Sequence, residues 1–231
     1  MFKKLLALGL AVLMAMSLCS CALAEPILKS VLGEDVGGAV AGLLEDPAKK
    51  QYGYGKSAYD SLVRSEEICT EMSDMIYEAW YFAIYDADEY ATDNGVINAF
   101  AEEIGVSTAD LRTAYLNFME TDEYSAAVLA YALSEFQYAL AIVGQVFKDK
   151  GMIAELDNEL ANAKEQIKVL GEEYPDYSEL AMLKSYYAKL NSYAEFVKSP
   201  TGSFNQLGNT VETYEKEIRD CRKELELTFE D

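Results

Sequence analysis

The chain contains no histidine. That absence removes the Ser–His and Cys–His nucleophile pairs and every zinc or iron site that needs imidazole. Proline is scarce at 4 residues, and glycine at 14 is ordinary, so few positions interrupt long helices. No alternation of apolar and polar residues runs long enough to read as a strand, and no segment repeats at a fixed period. Basic residues are in deficit too: 19 Lys and Arg stand against 40 Asp and Glu, a formal charge of −21. Such a surface repels phosphates and anionic headgroups, which argues against a nucleic-acid partner. It suits the solubility of an exported protein, or attraction to cations or a basic partner. Apolar residues make up 51% of the chain, enough for a real core rather than disorder.

The first residues carry a different pattern. Lys3 and Lys4 precede an apolar run from Leu5 to Met16, and small residues follow. These are the three regions of a secretory signal, with an apolar run too short for a membrane span of about 20 residues. Leu18, Cys19, Ser20 and Cys21 resemble the lipobox of bacterial lipoprotein precursors, with Leu at −3 and a small residue at −1. Cys19 at −2 departs from the usual pattern. The resemblance implies that Cys21 becomes the lipid-bearing first residue of an extracytoplasmic, membrane-anchored protein. The rival is cleavage after Ala24, in the Ala22-Leu23-Ala24 site, which would release a free secreted domain. Residues 1–20 are therefore assigned to the signal, 21–55 to a tether or packed N-terminal arm, and 56–231 to a helical domain.

Within that domain the apolar residues keep helical spacing. Leu62, Cys69, Ile76 and Ala83 are seven apart, and Met72 and Ala79 fill the seam between them, which predicts a helix from Lys56 to about Tyr85. Gln51 to Gly55 reads as a loop. An acidic loop follows from Asp86 to Asn94, then a short helix from Val96 to Ile104 that ends at Gly105. Ser107 and Asp110 look like a capping box for a helix reaching Met119. Thr121, Asp122 and Glu123 are read as the cap of one continuous helix to about Lys148. Between Ala126 and Phe147 its only charge is Glu135, so it is read as the covered central helix of a bundle rather than a membrane span. Seams then run through Ile153, Leu156, Leu160, Ala163, Ile167 and Leu170, through Leu180, Leu183, Tyr187, Leu190, Ala194 and Val197, and through Phe204, Leu207, Val211, Tyr214, Ile218, Cys221, Leu225 and Thr228. Short turns join them, at Gly171 to Pro175 and at Ser199 to Gly202. The fold class expected is all-α, a multi-helix bundle with long antiparallel amphipathic helices.

No motif carries catalysis. Gly53, Gly55, Lys56 and Ser57 resemble the end of a phosphate loop, but Lys50 stands where its first glycine belongs and no strand precedes it. Asp86, Asp88 and Glu89 fail the EF-hand register, because Tyr90 and Ala91 fall where an oxygen ligand and glycine are required. Acid pairs such as Glu66 with Glu67 are neighbours on a helix and point apart, which does not suit a two-carboxylate hydrolase. No metal or cofactor is expected, and the chain is read as a non-enzyme.

Two features remain. Cys69 and Cys221 sit on apolar seams early and late in the domain. They read either as a disulfide clip closing a loop of about 150 residues, or as two buried thiols. Tyrosine is abundant, at 17 residues. Tyr77, Tyr81 and Tyr85 are four apart, and Tyr124, Tyr131 and Tyr138 seven apart, so each set is expected on one helix face. Such a stripe reads first as packing against a core, and second as a groove wall or interface. Glu135, alone on its apolar helix, is expected to be poorly solvated. The function expected is a non-enzymatic binding or structural module of the cell envelope, touching the membrane only through a lipid anchor. Its partner would be an unknown protein or envelope component met through these tyrosines and Glu135. The alternatives are a small-ligand sensor or carrier and a carboxylate-dependent hydrolase.

Overall fold

Leu62, Cys69 and Ile76 are all buried, with Ala58, Met72 and Ala79 between them on one stripe. In the computed structural model, which describes residues 46–230, this stripe belongs to α1, Pro47–Tyr81. The signal segment, Cys21, Ala24 and most of the 21–55 arm lie outside the described residues. The chain divides into two compact units, Met1–Lys50 and Gln51–Asp231. Of the first unit, residues 46–50 are described. Asp46 Oδ1 accepts from the Ala48 amide at 3.0 Å, and Pro47 takes the first helical position, where its missing amide costs nothing.

The loop expected at Gln51–Gly55 is instead helix. The glycine there serves packing: a Cβ on Gly55 would lie 2.4 Å from Tyr177 Oη. After Tyr81 the coil widens into a π turn, Phe82–Asp86, then tightens into a 3-10 turn, Ala87–Glu89. Helix α2 is Asp93–Glu103, capped by Thr92, whose hydroxyl accepts from Gly95 N. Helix α3, Thr108–Met119, follows Gly105 at φ 68° and is capped by Ser107 through the Asp110 amide, as the sequence predicts.

The continuous helix expected from Thr121 to Lys148 does not form. Thr121 holds the Glu123 amide in a local turn, and Ser125 is the cap that starts α4, Ala126–Ser134. Glu135 is extended, at φ −105° and ψ 107°, and α5, Phe136–Asp149, leaves it at 108° to α4. The composition explains the break. A segment apolar on every side cannot bury its whole girth on one straight axis beside neighbours on one side. Split, α4 buries Leu129 and Leu133 where it packs on α2, and α5 buries Ile142, Val143, Val146 and Phe147 where it packs on α3 and α6. Among the described residues no single helix is long and apolar enough to cross a membrane.

Gly151, at φ 75°, turns the chain into α6, Met152–Glu173. Helices α7, Leu180–Lys198, and α8, Phe204–Phe229, complete the domain. Most predicted seam positions are buried, such as Leu156, Leu160 and Leu170 on α6, Leu183, Leu190 and Val197 on α7, and Leu207, Ile218 and Leu225 on α8, while Ile153, Tyr187, Phe204, Val211, Tyr214 and Thr228 are only half-buried. The described residues are all-helical, with eight α-helices packed together and no strand among them. Polar pairs tie these helices at fixed levels. Tyr193 Oη donates to Ser73 Oγ at 2.7 Å, Asn162 Nδ2 to Ser61 Oγ at 2.7 Å, and Tyr59 Oη to Glu230 at 2.5 Å. Tyr186 Oη donates to the Glu66 carboxylate.

Candidate functional site: an open aromatic face and its groove

The tyrosines of α1 have two fates. Tyr59, near its start, is buried, and its phenol is pushed up by burial and by the Glu230 carboxylate it bonds. Tyr77 and Tyr81, near its end, are exposed, as is Tyr85 in the π turn. Residues four apart on a helical coil lie above one another, and these rings follow in line, at 6.4 Å between Tyr77 and Tyr81 and 4.9 Å between Tyr81 and Tyr85. Phe204 braces the row from α8, with its centroid 5.1, 6.2 and 6.1 Å from the three rings. Its place is set by the turn before α8, where Gly202 adopts φ 109° and the Gln206 side chain accepts from the Ser203 amide at 2.9 Å. Tyr77, Tyr81 and Tyr85 have no hydrogen-bond partner among the described residues. Core packing, the first expectation for this stripe, is overturned.

Tyr124, Tyr131 and Tyr138 do not share a face. Tyr124 precedes α4, where the Arg112 guanidinium lies 5.0 Å from its ring; Tyr131 is on α4, and Tyr138 lies beyond the bend on α5. All three are exposed, Tyr131 by 64%. Their seven-residue spacing would align them only on one continuous helix, and Glu135 ends that helix. Glu135 itself is exposed at the bend, which corrects the expectation of a poorly solvated acid: the backbone there turns out of the apolar core.

Beside the tyrosine row lies an open groove of about 540 Å³. Trp80 and Phe136 form one wall, stacked at 5.6 Å and within 4° of parallel. Phe118, Leu140 and Phe147 continue the apolar lining, and Lys148, Lys198, Gln137 and Gln145 supply its polar groups. Trp80 joins groove to row through Phe204, 6.2 Å away. None of the six tyrosines, nor Glu135, lines this groove. Sequence reasoning missed it, because its walls come from five helices and the α7–α8 turn, and no spacing along the chain marks them.

A second, smaller cleft of about 220 Å³ is lined by Glu71, Asp74, Glu78, Glu103 and Lys150. Burial pushes the Asp74 carboxyl above the usual carboxylate range. Burial, then repulsion from Glu103, Asp74 and Asp86, does the same to Glu78. Its volume falls below the roughly 300 Å³ at which small-molecule sites begin. Among the described residues no group of three or more His, Cys, Asp or Glu is placed to hold a metal ion.

Cys69 and Cys221 are buried free thiols. Burial pushes the Cys69 thiol up to about 12, so it is not a nucleophile near neutrality. Cys221 Sγ lies 3.7 Å from Ser185 Oγ on α7.

Comparison with protein-family models, curated proteins and solved structures finds no match to this chain, so the reading of the site rests on its own chemistry.

Proposed function

We propose that this is an exported, acidic, all-helical protein of the cell envelope that acts as a non-enzymatic binding module. It meets its partner through the row of Tyr77, Tyr81 and Tyr85 braced by Phe204. The observation that carries this reading is the pairing of three neighbouring exposed rings with hydroxyls that bond nothing in the described residues. Tyrosine offers an apolar ring with a polar tip and loses little conformational freedom on binding, which is why it is favoured at interfaces. The acidic surface favours a neutral or basic partner over nucleic acid.

The domain would be held at the membrane surface by lipid on Cys21, on the lipobox-like sequence before it. The intact mass of the protein from its own host tests this directly. A chain starting at Cys21 and carrying a diacylglyceryl group supports the anchor; a chain starting at Glu25 makes the protein a freely secreted one.

Helix α8 fits a long antiparallel amphipathic neighbour of both α1 and α7, which run parallel to each other. Support comes from the order of their contacts. Tyr59 meets Glu230 and Tyr77 meets Phe204, so residue numbers fall on α8 as they rise on α1. Ser185 meets Cys221 and Tyr193 meets Tyr214, giving the same sense to α7 and α8.

Affinity capture from the host's envelope fraction tests the partner reading. The chain should retain a component that the Tyr77→Ser, Tyr81→Ser, Tyr85→Ser variant loses. A control with Tyr124, Tyr131 and Tyr138 changed to Ser should keep it. Equal retention by both variants would overturn the assignment of the face.

A further inference from the structure

We propose that the groove between α1, α5 and the α7–α8 turn binds a small amphipathic acid, an apolar chain or ring ended by one carboxylate. This goes beyond the partner reading and does not depend on it. The volume, about 540 Å³, lies within the roughly 300–1,000 Å³ of small-molecule sites, and the walls combine aromatic and aliphatic side chains with polar ones.

Charge selects the class of ligand. In a chain with 40 acids and 19 bases, the only ionisable side chains among the described residues lining this groove are Lys148 and Lys198. Lys198 is held by Asp157 at 2.5 Å and by Glu195 at 3.6 Å, so its charge is largely met. Lys148 has no ion-pair partner among the described residues. Its neighbour Asp149 is engaged instead, accepting from Asn117 and Gln145. An ammonium free of carboxylates, at the edge of an apolar groove, is complementary to a single anionic head; a cationic ligand would meet two like charges.

The second observation is Gly144. It sits in the middle of α5 and lines the groove, and a Cβ built on it would meet nothing within 4 Å. Packing therefore does not require glycine here, and φ lies in the ordinary helical range. Glycine inside a helix costs stability relative to almost any other residue. What its hydrogen side chain preserves is open space along the lining of the groove.

Trp80 is the only tryptophan of the chain, so its emission reports on this site alone. The full chain should be titrated below micelle formation with decanoate, 1-decanol and decyltrimethylammonium. A second acid, 3-phenylpropionate, distinguishes ring-bodied from chain-bodied ligands. Decanoate or 3-phenylpropionate should change the emission saturably, at one site. Decanol should bind about tenfold more weakly than decanoate, the loss expected for one charge-assisted hydrogen bond. Lys148→Met, which keeps the apolar stem, should weaken decanoate by the same factor and leave decanol unchanged. Gly144→Leu should abolish both while the melting temperature holds or rises, so loss of binding cannot be confused with loss of fold. Equal binding of acid and alcohol, tighter binding of the ammonium, no saturable change with either acid, or unaltered binding by Gly144→Leu would overturn the proposal. The tyrosine-row variant should bind decanoate normally, which separates this site from the partner face.

Discussion

Two levels of α1 treat the same residue type in opposite ways: Tyr52, at the very start, is exposed like the far end, but the level of Tyr59 is covered. At that level, Tyr59 and, from α7, Tyr186 are covered, and each hydroxyl is spent on a carboxylate from another helix, Glu230 and Glu66. Arg222 bridges that level, 3.9 Å from Glu66 and 3.5 Å from Glu230. At the far end, Tyr77, Tyr81 and Tyr85 lie open, with hydroxyls bonded to none of the described residues. A buried hydroxyl without a partner is costly, and Tyr59, Tyr186 and Tyr193 each come with an acceptor; the Tyr177 hydroxyl, buried without one, is the exception. An exposed hydroxyl needs none. At these two levels of α1, hydrogen-bond satisfaction distinguishes the covered tyrosines from the open ones better than spacing does.

The largest expected effect is at the covered level. Tyr186→Ala removes a fully buried ring and leaves Glu66 without its donor, so it should cost about 3–5 kcal/mol in urea unfolding, the range of large-to-small core changes. A cost under about 1 kcal/mol would mean that this level is no more load-carrying than the open one. Tyr193→Phe removes only the hydroxyl that Ser73 Oγ accepts, in a buried site, and should cost about 1–3 kcal/mol. The open end should be nearly silent in the same assay. Tyr81→Ser and Tyr85→Ser are expected to stay within about 1 kcal/mol, the surface range widened for lost ring contacts.

Acidity sharpens the contrast further. Burial raises Asp74, Glu78 and Glu215 in the folded chain, so the fold holds protons there more tightly than the unfolded chain does. Their contribution to stability is therefore largest at low pH and is lost as pH rises from the ordinary carboxylate range through their folded values. Melting temperature should rise as pH falls from neutral toward the ordinary carboxylate range, and Glu78→Gln should raise it at pH 7 and flatten the dependence. A melting temperature that falls steadily over that range would contradict this.

Much of this was legible in the residues. Most seam positions of α6, α7 and α8 are buried where their 3-4 spacing put them, and Ser107 caps α3 as its sequence implies. The break at Glu135 was not legible. From Ala126 to Phe147 the segment is apolar on every side, so periodicity assigns it no face and marks no place to bend. Gln51–Gly55 was misread because glycine reads as a loop, while its cause, the approach of Tyr177, lies more than a hundred residues away. The tyrosine row was visible as a spacing, but its exposure was not, since that depends on Phe204 bracing it from the last helix. The groove had no linear signal at all, because Trp80, Lys148, Gly144 and the α7–α8 turn meet only once the chain has doubled back at Glu135.

The central claim is that the Tyr77–Tyr85 row is open in the free protein and covered in the bound one. Tyrosine iodination mapped by mass spectrometry, on the full chain with and without the host's envelope fraction, tests it most directly. The account predicts reaction at Tyr77, Tyr81 and Tyr85 in the free chain, protection of those three in the envelope fraction, and no reaction at Tyr59, Tyr186 or Tyr193 in either state. Unchanged reactivity of the row in the envelope fraction, or an inert row in the free chain, would contradict it.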